Sequence, residues 1–366
     1  MEKLMTDLKQ YGYTESGELP DGSIPGRVVD FRRSQYSVIT ENGEVAAVLK
    51  GAFIYDAQVR ADLPCVGDFV LLEFNENGAS QITKLLPRFS KFSRSDFSGH
   101  GFAHIKANRE QVVAVNFDYV FILTSLDRDF RVNRILRYLT QTRSSGGQPV
   151  VILTKADQAD DFTPQVNEVH EAAPDVPVHA ISSITGYGLD ELNTYLQPAK
   201  TVVFLGMSGV GKSSLLNVLA NEDLMEVRDT RRVDVSKGSH TTTHRQLFML
   251  PSGAMIIDTP GMRELGLFDA GEGISAGFSE IEDLFAKCRF SDCMHKTEPG
   301  CAVLTALADG SLSNSRWEQY LKQQRENKYV DDKTAYLREN TAWWKSSEIA
   351  HRAEKKAAKK LRSKVN

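Results

Sequence analysis

Cysteine is scarce, with 4 in 366 residues. Three of them, Cys288, Cys293 and Cys301, fall in one short stretch. That pattern disfavours a disulfide framework and points to a metal or reactive site. No apolar run is long enough to cross a bilayer. Met1 to Gln10 mixes acid, base and apolar residues, unlike a signal peptide. We therefore expect a cytoplasmic protein with no membrane partner. No sign of charge dominates either, since the net charge is -4. Whole-chain charge thus leaves nucleic acid open, and local charge must be read instead. No internal repeat is evident. What remains is an ordinary globular balance, 41% hydrophobic and 25% charged. The length predicts two or three domains, and nothing in it calls for an obligate dimer, so a monomer is expected.

Residues 1–20 read as a short amphipathic helix through Leu4, Leu8 and Tyr11. From Gly26 to Pro87 the pattern is β. Segments 26–31, 36–39, 44–49, 68–72 and 80–83 are short and rich in β-branched residues, and Asn42-Gly43 and Asn77-Gly78 fit hairpin turns. Five such strands predict a small closed barrel of the OB type. Residues 88–110 are polar, Ser-rich and basic, and read as a linker or long surface loop carrying His100 and His104. From Phe117 onward, apolar runs at 117–124, 149–154, 176–182, 201–205 and 254–258 alternate with helical segments such as 131–141 and 212–220. Buried parallel strands with crossover helices read this way. Beyond about residue 275 the chain is mostly helical.

Gly206-Met207-Ser208-Gly209-Val210-Gly211-Lys212-Ser213 matches the phosphate-loop pattern, between a strand and a helix that opens at Ser214. Its glycines let backbone N–H groups curl around phosphate oxygens, and the helix N-terminus adds partial positive charge. Lys212 would pair with the β- and γ-phosphates, a catalytic as well as a binding role, and Ser213 would place its hydroxyl on Mg²⁺.

Thr154-Lys155-Ala156-Asp157 follows the strand 149–153. A carboxylate at Asp157 accepts from guanine N1–H and the exocyclic amine together, a donor pair that adenine lacks, and a pocket built on such bonds discriminates strongly. The Lys155 stem can lie on the base. Thr154 stands where Asn is commoner. One hydroxyl replaces an amide, which predicts weaker loop bracing and a weaker contact to the base. Ser182-Ser183, after the next strand, forms a second base-loop candidate through its backbone N–H groups, although a Ser-Ser pair before a helix also serves as a plain cap.

Asp258-Thr259-Pro260-Gly261 matches D-x-x-G at a strand end. Asp258 would hold Mg²⁺ through water, and the Gly261 N–H would meet the γ-phosphate. Gly238 to Thr243, lying between the phosphate loop and this element, fits the first switch, with Thr242 reaching Mg²⁺. Met262 stands where Ras-like enzymes use Gln to orient water. It cannot make that hydrogen bond, so His240 is the candidate catalytic stand-in.

The base-reading motif precedes the phosphate loop, the reverse of the ordinary order. The same sheet forms if the old termini are joined and the chain is cut after the D-x-x-G strand. With this order, the barrel, the Gly-x-His-Thr-Thr-Thr switch and the Cys/His cluster, the sequence resembles the RsgA (YjeQ/YloQ) family from about Ile24 to Asn314. The resemblance implies a circularly permuted α/β P-loop GTPase core with a mostly parallel sheet, an N-terminal OB-fold-like β-barrel and a C-terminal helical zinc-binding module. We place these at 106–270, 1–105 and 271–366. It further implies hydrolysis of GTP to GDP and phosphate in late assembly of the 30S ribosomal subunit, stimulation by that subunit, 16S rRNA contact, and a catalytic role for His240. Thr154 and the extended basic C-terminus depart from the pattern.

Cys288, Cys293, His295 and Cys301 supply three thiolates and one imidazole within fourteen residues. Zinc takes such a closed tetrahedral set structurally, and the resemblance assigns one structural zinc to the same positions. The tail, Lys345 to Lys364, carries Arg352, Lys355, Lys356, Lys359, Lys360 and Arg362 behind Trp343 and Trp344. It reads either as a solvated charge run or as an rRNA phosphate contact. Two other functions compete: an RNA-binding protein holding nucleotide only as a structural ligand, which Met262 favours and the magnesium set opposes, and an ATP-dependent enzyme, which Asp157 opposes.

Overall fold

The computed structural model describes residues 6–14, 19–32, 35–95, 110–127, 130–224, 246–258, 277–290 and 293–325. Within the first of these, the expected N-terminal helix is only a 3₁₀ turn, Leu8–Tyr11. Asp7 caps it, and Gly12 in the left-handed conformation ends it after one turn.

Five strands follow: β1 (Ser23–Arg32), β2 (Gln35–Thr40), β3 (Gly43–Leu49), β4 (Phe69–Glu73) and β5 (Ser80–Leu85). They pair in the order β1-β2-β3-β5-β4, and β1 pairs β4 to close the barrel. A short helix α1 (Gly51–Asp56) lies between β3 and β4. Val28, Val38, Ala47, Val70, Leu72 and Ile82 fill the interior. Gly26 faces Thr40 on one side and Val70 on the other. A Cβ there would stand 2.5 Å from Val38 Cγ1, so glycine lets β1 curl between its two neighbours.

The expected linker contributes a strand at each of its described ends. β6 (Lys91–Ser95) pairs antiparallel with β7 (Glu110–Val115). Phe92 is buried and stacks on Phe117 at 5.0 Å. Arg88 reaches the buried Asp68, Nη2 to Oδ2 at 2.7 Å. Burial pushes the Asp68 carboxyl upward against the pull of Arg88. His100 and His104 lie outside the described residues.

The α/β part contributes β8 (Tyr119–Ser125), α2 (Val132–Ser145), β9 (Gln148–Thr154), α3 (Thr163–Ala172), β10 (Val178–Ala180), β11 (Thr201–Leu205), α4 (Lys212–Ala220), β12 (Gln246–Met249) and β13 (Met255–Asp258). The sheet order is β10-β9-β8-β11-β13-β12, parallel except for β12. Phe121, Ile152, Val202 and Phe204 pack with Leu215 of α4 on one face. Ile122, Leu153, Val203 and Ile257 pack with Ile135 and Leu139 of α2 on the other. That second core also takes in Leu8, Val29 and Ile39 from the barrel side. β1 of the barrel pairs antiparallel with β12 of the core sheet at one register position, Asp30 with Gln246.

The C-terminal part holds α5 (Ser279–Phe285), α6 (Ala302–Asp309) and a helix over residues 314–325. Phe278, Ile281, Val303, Ala306, Leu312 and Tyr320 form its own small core. Arg316 ties this part to the sheet domain. Its Nη1 donates to Ala172 O at 2.6 Å and its Nη2 to Gly277 O at 2.5 Å, while its Nε meets Glu280 at 2.8 Å. The guanidinium also lies 4.0 Å from the Phe278 ring centre.

Candidate functional site

Strands β8 to β11 and β13 are parallel, so their carboxyl ends share one edge, where open α/β sheets bind ligands. β11 runs into the phosphate loop there. Gly206 has a φ of 154°, and a Cβ on it would lie 2.5 Å from Leu123 O. Only glycine lets the loop leave β11 so close to β8. Gly209 and Gly211 also take positive φ. α4 starts behind Gly211 with no side chain capping its first turn, so its leading N–H groups are open to an anion. Lys212 Nζ donates to Gly206 O and Met207 O, each at 2.7 Å, within the same loop as Ser208 and Val210. Ser213 and Ser214 sit in the first turn of α4.

The expected base-reading segment emerges from the same edge. Thr154 ends β9, and its Oγ1 donates to Val210 O at 2.6 Å. The bracing that a hydroxyl was expected to weaken is therefore present and short. Gly211 leaves room for it, since a Cβ at that position would still stand 3.9 Å from Thr154 Oγ1. Lys155 adopts a left-handed φ of 62°, and its Nζ pairs with Asp127 Oδ2 at 2.9 Å. Asp127 is held in turn by Ser125 Oγ at 2.8 Å. Sequence reasoning missed Asp127; its one signal is an acid just past the neighbouring buried strand β8. Ala156 is buried, and its N–H reaches Ile181 O at 3.0 Å.

Asp157 Oδ1 accepts from Ser182 Oγ at 2.6 Å. Ser182 is fully buried, and its Oγ also accepts from the N–H groups of Ile184 and Thr185, both at 3.2 Å. Its own N–H is committed to Tyr187 O at 3.0 Å. The side chain of Ser182, rather than its backbone donor, thus joins the second base loop to Asp157. Ser183 N–H carries no hydrogen bond among the described residues.

Asp258 closes β13 as a buried carboxylate, one position past Ile257, which pairs with Val203 of β11. The structure thus brings together segments 154–157, 182–183 and 206–214 with Asp258. His240, Thr242 and Gly261 lie outside the described residues, as does the basic tail.

A profile described as RsgA GTPase matches residues 86–268, half of the chain. A Listeria innocua protein named small ribosomal subunit biogenesis GTPase RsgA 1 is 44% identical over 93% of this chain and 95% of its own.

The chain belongs to the RsgA GTPase family.

A Streptomyces avermitilis member of that family, named small ribosomal subunit biogenesis GTPase RsgA, is 44% identical over 86% of this chain and 82% of its own. Among solved structures, YjeQ from Thermotoga maritima superposes with a TM-score of 0.62 at 28% identity, covering 83% of this chain and 98% of that one. YloQ, described as a circularly permuted GTPase, gives a TM-score of 0.60 at 23% identity over 86% and 96%. The second likeness speaks for the fold alone. This RsgA GTPase accordingly has a circularly permuted GTP-hydrolase core behind a closed five-stranded barrel.

In the C-terminal part of this RsgA GTPase, the ligand atoms of Cys288, Cys293, His295 and Cys301 lie within 4.8 Å of one another. His295 Nδ1 is 3.6 Å from Cys288 Sγ and 3.4 Å from Cys301 Sγ, and the two sulfurs are 4.0 Å apart. A tetrahedral ion with bonds of about 2.0–2.3 Å needs ligand-to-ligand edges of about 3.5–3.8 Å. The donor set fits such an ion. Phe285 stacks on the His295 ring at 4.3 Å and Trp317 meets it edge-on at 6.0 Å, fixing the ring's orientation. The loop between the ligands is held by Glu298. Its carboxylate accepts from the N–H groups of Lys296 and Thr297 and from Met294, which holds its pKa down at about 2. Among the described residues, no helix is long and apolar enough to cross a membrane.

Proposed function

We propose that this chain hydrolyses GTP as a factor in biogenesis of the small ribosomal subunit, the role named for its relatives, and does so in the cytoplasm as a monomer. One observation carries the reading. The hydroxyl of Thr154 bonds Val210 O at 2.6 Å, so the Lys-x-Asp segment and the phosphate loop, 56 residues apart and in reversed order, lie side by side, which supports their closing over one nucleotide. Asp157 reads the Watson–Crick edge of guanine and Lys155 covers its face. The glycine-rich loop and the open turn of α4 hold the phosphates, and Lys212 leaves its loop carbonyls for the β- and γ-oxygens. Ser213, Thr242 and Asp258 would hold Mg²⁺, which neutralises charge on the transferring phosphoryl group. His240 orients the attacking water, and Gly261 senses the γ-phosphate.

The Cys₃His set would hold one structural zinc, which supplies folding energy to a segment with little core of its own. We assign the three parts to 1–105, 106–270 and 271–366, with the barrel and the basic tail facing 16S rRNA. Phosphate release measured with and without 30S subunits tests the proposal. Strong stimulation is expected. A rate indifferent to the subunit would remove the coupling of hydrolysis to subunit assembly.

A further inference from the structure

We propose that residue 154 does not read guanine N7 in this protein, so that base recognition draws on the Watson–Crick edge and O6. The inference depends on the base-pocket reading above. A threonine hydroxyl carries one proton. In Thr154 that proton faces two carbonyl oxygens, Val210 O at 2.6 Å and Thr124 O at 3.4 Å. A carbonyl only accepts, so both contacts draw on the same hydrogen, and the 2.6 Å bond takes it. Guanine presents N7 and O6 on its major-groove edge, and both are acceptors. Each needs a donor from the protein. An asparagine amide at this position has two N–H groups, one for the loop carbonyl and one left for the base. Threonine has none left.

Nor does the exchange favour the base. Thr154 is buried, and turning its hydroxyl to N7 would strand Val210 O inside the protein without a partner. The neighbouring side-chain donors are engaged as well. Lys155 Nζ sits on Asp127 at 2.9 Å, and Ser182 Oγ donates to Asp157 at 2.6 Å. Of the backbone donors in the second base loop, Ser182, Ile184 and Thr185 are committed, and Ser183 N–H is left for O6. The threonine thus keeps the phosphate loop tied to β9 and gives up one point of base recognition.

The test uses full-length protein and equilibrium binding of GDP, 7-deaza-GDP and ADP, the middle one carrying C–H in place of N7. Wild type is expected to bind GDP and 7-deaza-GDP within about twofold, with ADP far weaker. Thr154→Asn is expected to gain a preference for GDP over 7-deaza-GDP of about three- to tenfold, the range of one net hydrogen bond. A wild-type preference of fivefold or more for GDP over 7-deaza-GDP overturns the proposal, and this measurement needs no variant to fold. A folded Thr154→Asn protein that stays indifferent to N7 overturns it too, because the count of protons would then not be the cause. Equal binding of ADP and GDP by wild type would instead strike the base-pocket reading on which the proposal stands.

Discussion

Arg27, on the first strand of the barrel, donates from Nη2 to Thr201 Oγ1 at 3.0 Å, the first residue of the strand that leads to the phosphate loop. The same guanidinium reaches Tyr11 O at 2.6 Å, Asn116 O at 2.8 Å, Gly67 O at 3.3 Å and Met255 Sδ at 3.2 Å. It is 1% exposed. Burial pulls its pKa down to about 10, with Asp118 and Asp68 opposing, so it remains charged at neutral pH. One planar fork thus joins the N-terminal turn, the barrel, β7's end and two core strands. Arg27→Met should destabilise the protein by about 3–5 kcal/mol, because several buried acceptors lose their donor together. Arg27→Lys should recover little, since an ammonium cannot span them. Urea midpoints decide it; a loss under about 1 kcal/mol would mean that water replaces the fork.

Lys212→Ala should weaken GTP binding about ten- to hundredfold, the scale of charge-assisted hydrogen bonds to phosphate. Its ammonium bonds Gly206 O and Met207 O within its own loop, and the fold is expected to survive the change. Calorimetric titration beside a thermal melt separates the two effects.

Asp157→Asn should lower the preference for GDP over ADP, because an amide cannot accept from both guanine donors in the same way. Ser182→Ala leaves the carboxylate in place but removes the hydroxyl that orients it. Its expected cost is smaller, about three- to tenfold in nucleotide affinity. Equal losses in the two variants would argue that Ser182 acts through the pocket's fold and not through Asp157.

Removing the proposed zinc should unfold the C-terminal part while sparing the sheet. Cys301→Ser is the sharpest variant, since Cys301 is buried in the small core and contacts both Cys288 and His295. Loss of one equivalent of zinc by elemental analysis should accompany loss of the near-ultraviolet signal of Trp317. A full metal complement in that variant would place the ion elsewhere.

His240→Ala should slow subunit-stimulated turnover about 10²–10⁴-fold, the range for a lost acid–base group, with nucleotide affinity nearly unchanged. Single-turnover rates measure it. An unchanged rate would transfer the positioning of water to another group.

The phosphate loop and the barrel were legible because their signals are local. Gly206 to Ser213 needs fixed residues at fixed spacing, and the alternating β-branched strands carry their own period. The Cys/His cluster was legible for the same reason. What escaped depends on contacts between distant segments. Arg27 sits in an ordinary strand, and nothing nearby in sequence announces that Thr201 and Met255 close over it. Asp127 and Ser182 acquire their places only when β8, β9 and β10 line up. β6 was read as part of a linker because Lys91-Phe92-Ser93-Arg94-Ser95 offers a single large apolar side chain, and its burial on Phe117 is a tertiary event. α2 runs past its expected end at Gln141 to Ser145, since polar Thr140, Thr142 and Ser145 are satisfied by carbonyls within the helix.

Arg316 fastens the C-terminal part to Ala172, at the end of the helix that follows the base loop. The covalent connection leaves from Asp258, on the phosphate side. Among the described residues, Arg316 thus couples the small C-terminal core to the end of α3, on the base-reading side of the sheet. A shift of that core against the sheet must slip the arginine or carry the end of α3 with it. A load on the Cys/His cluster would in the same way reach the base-reading side through a guanidinium.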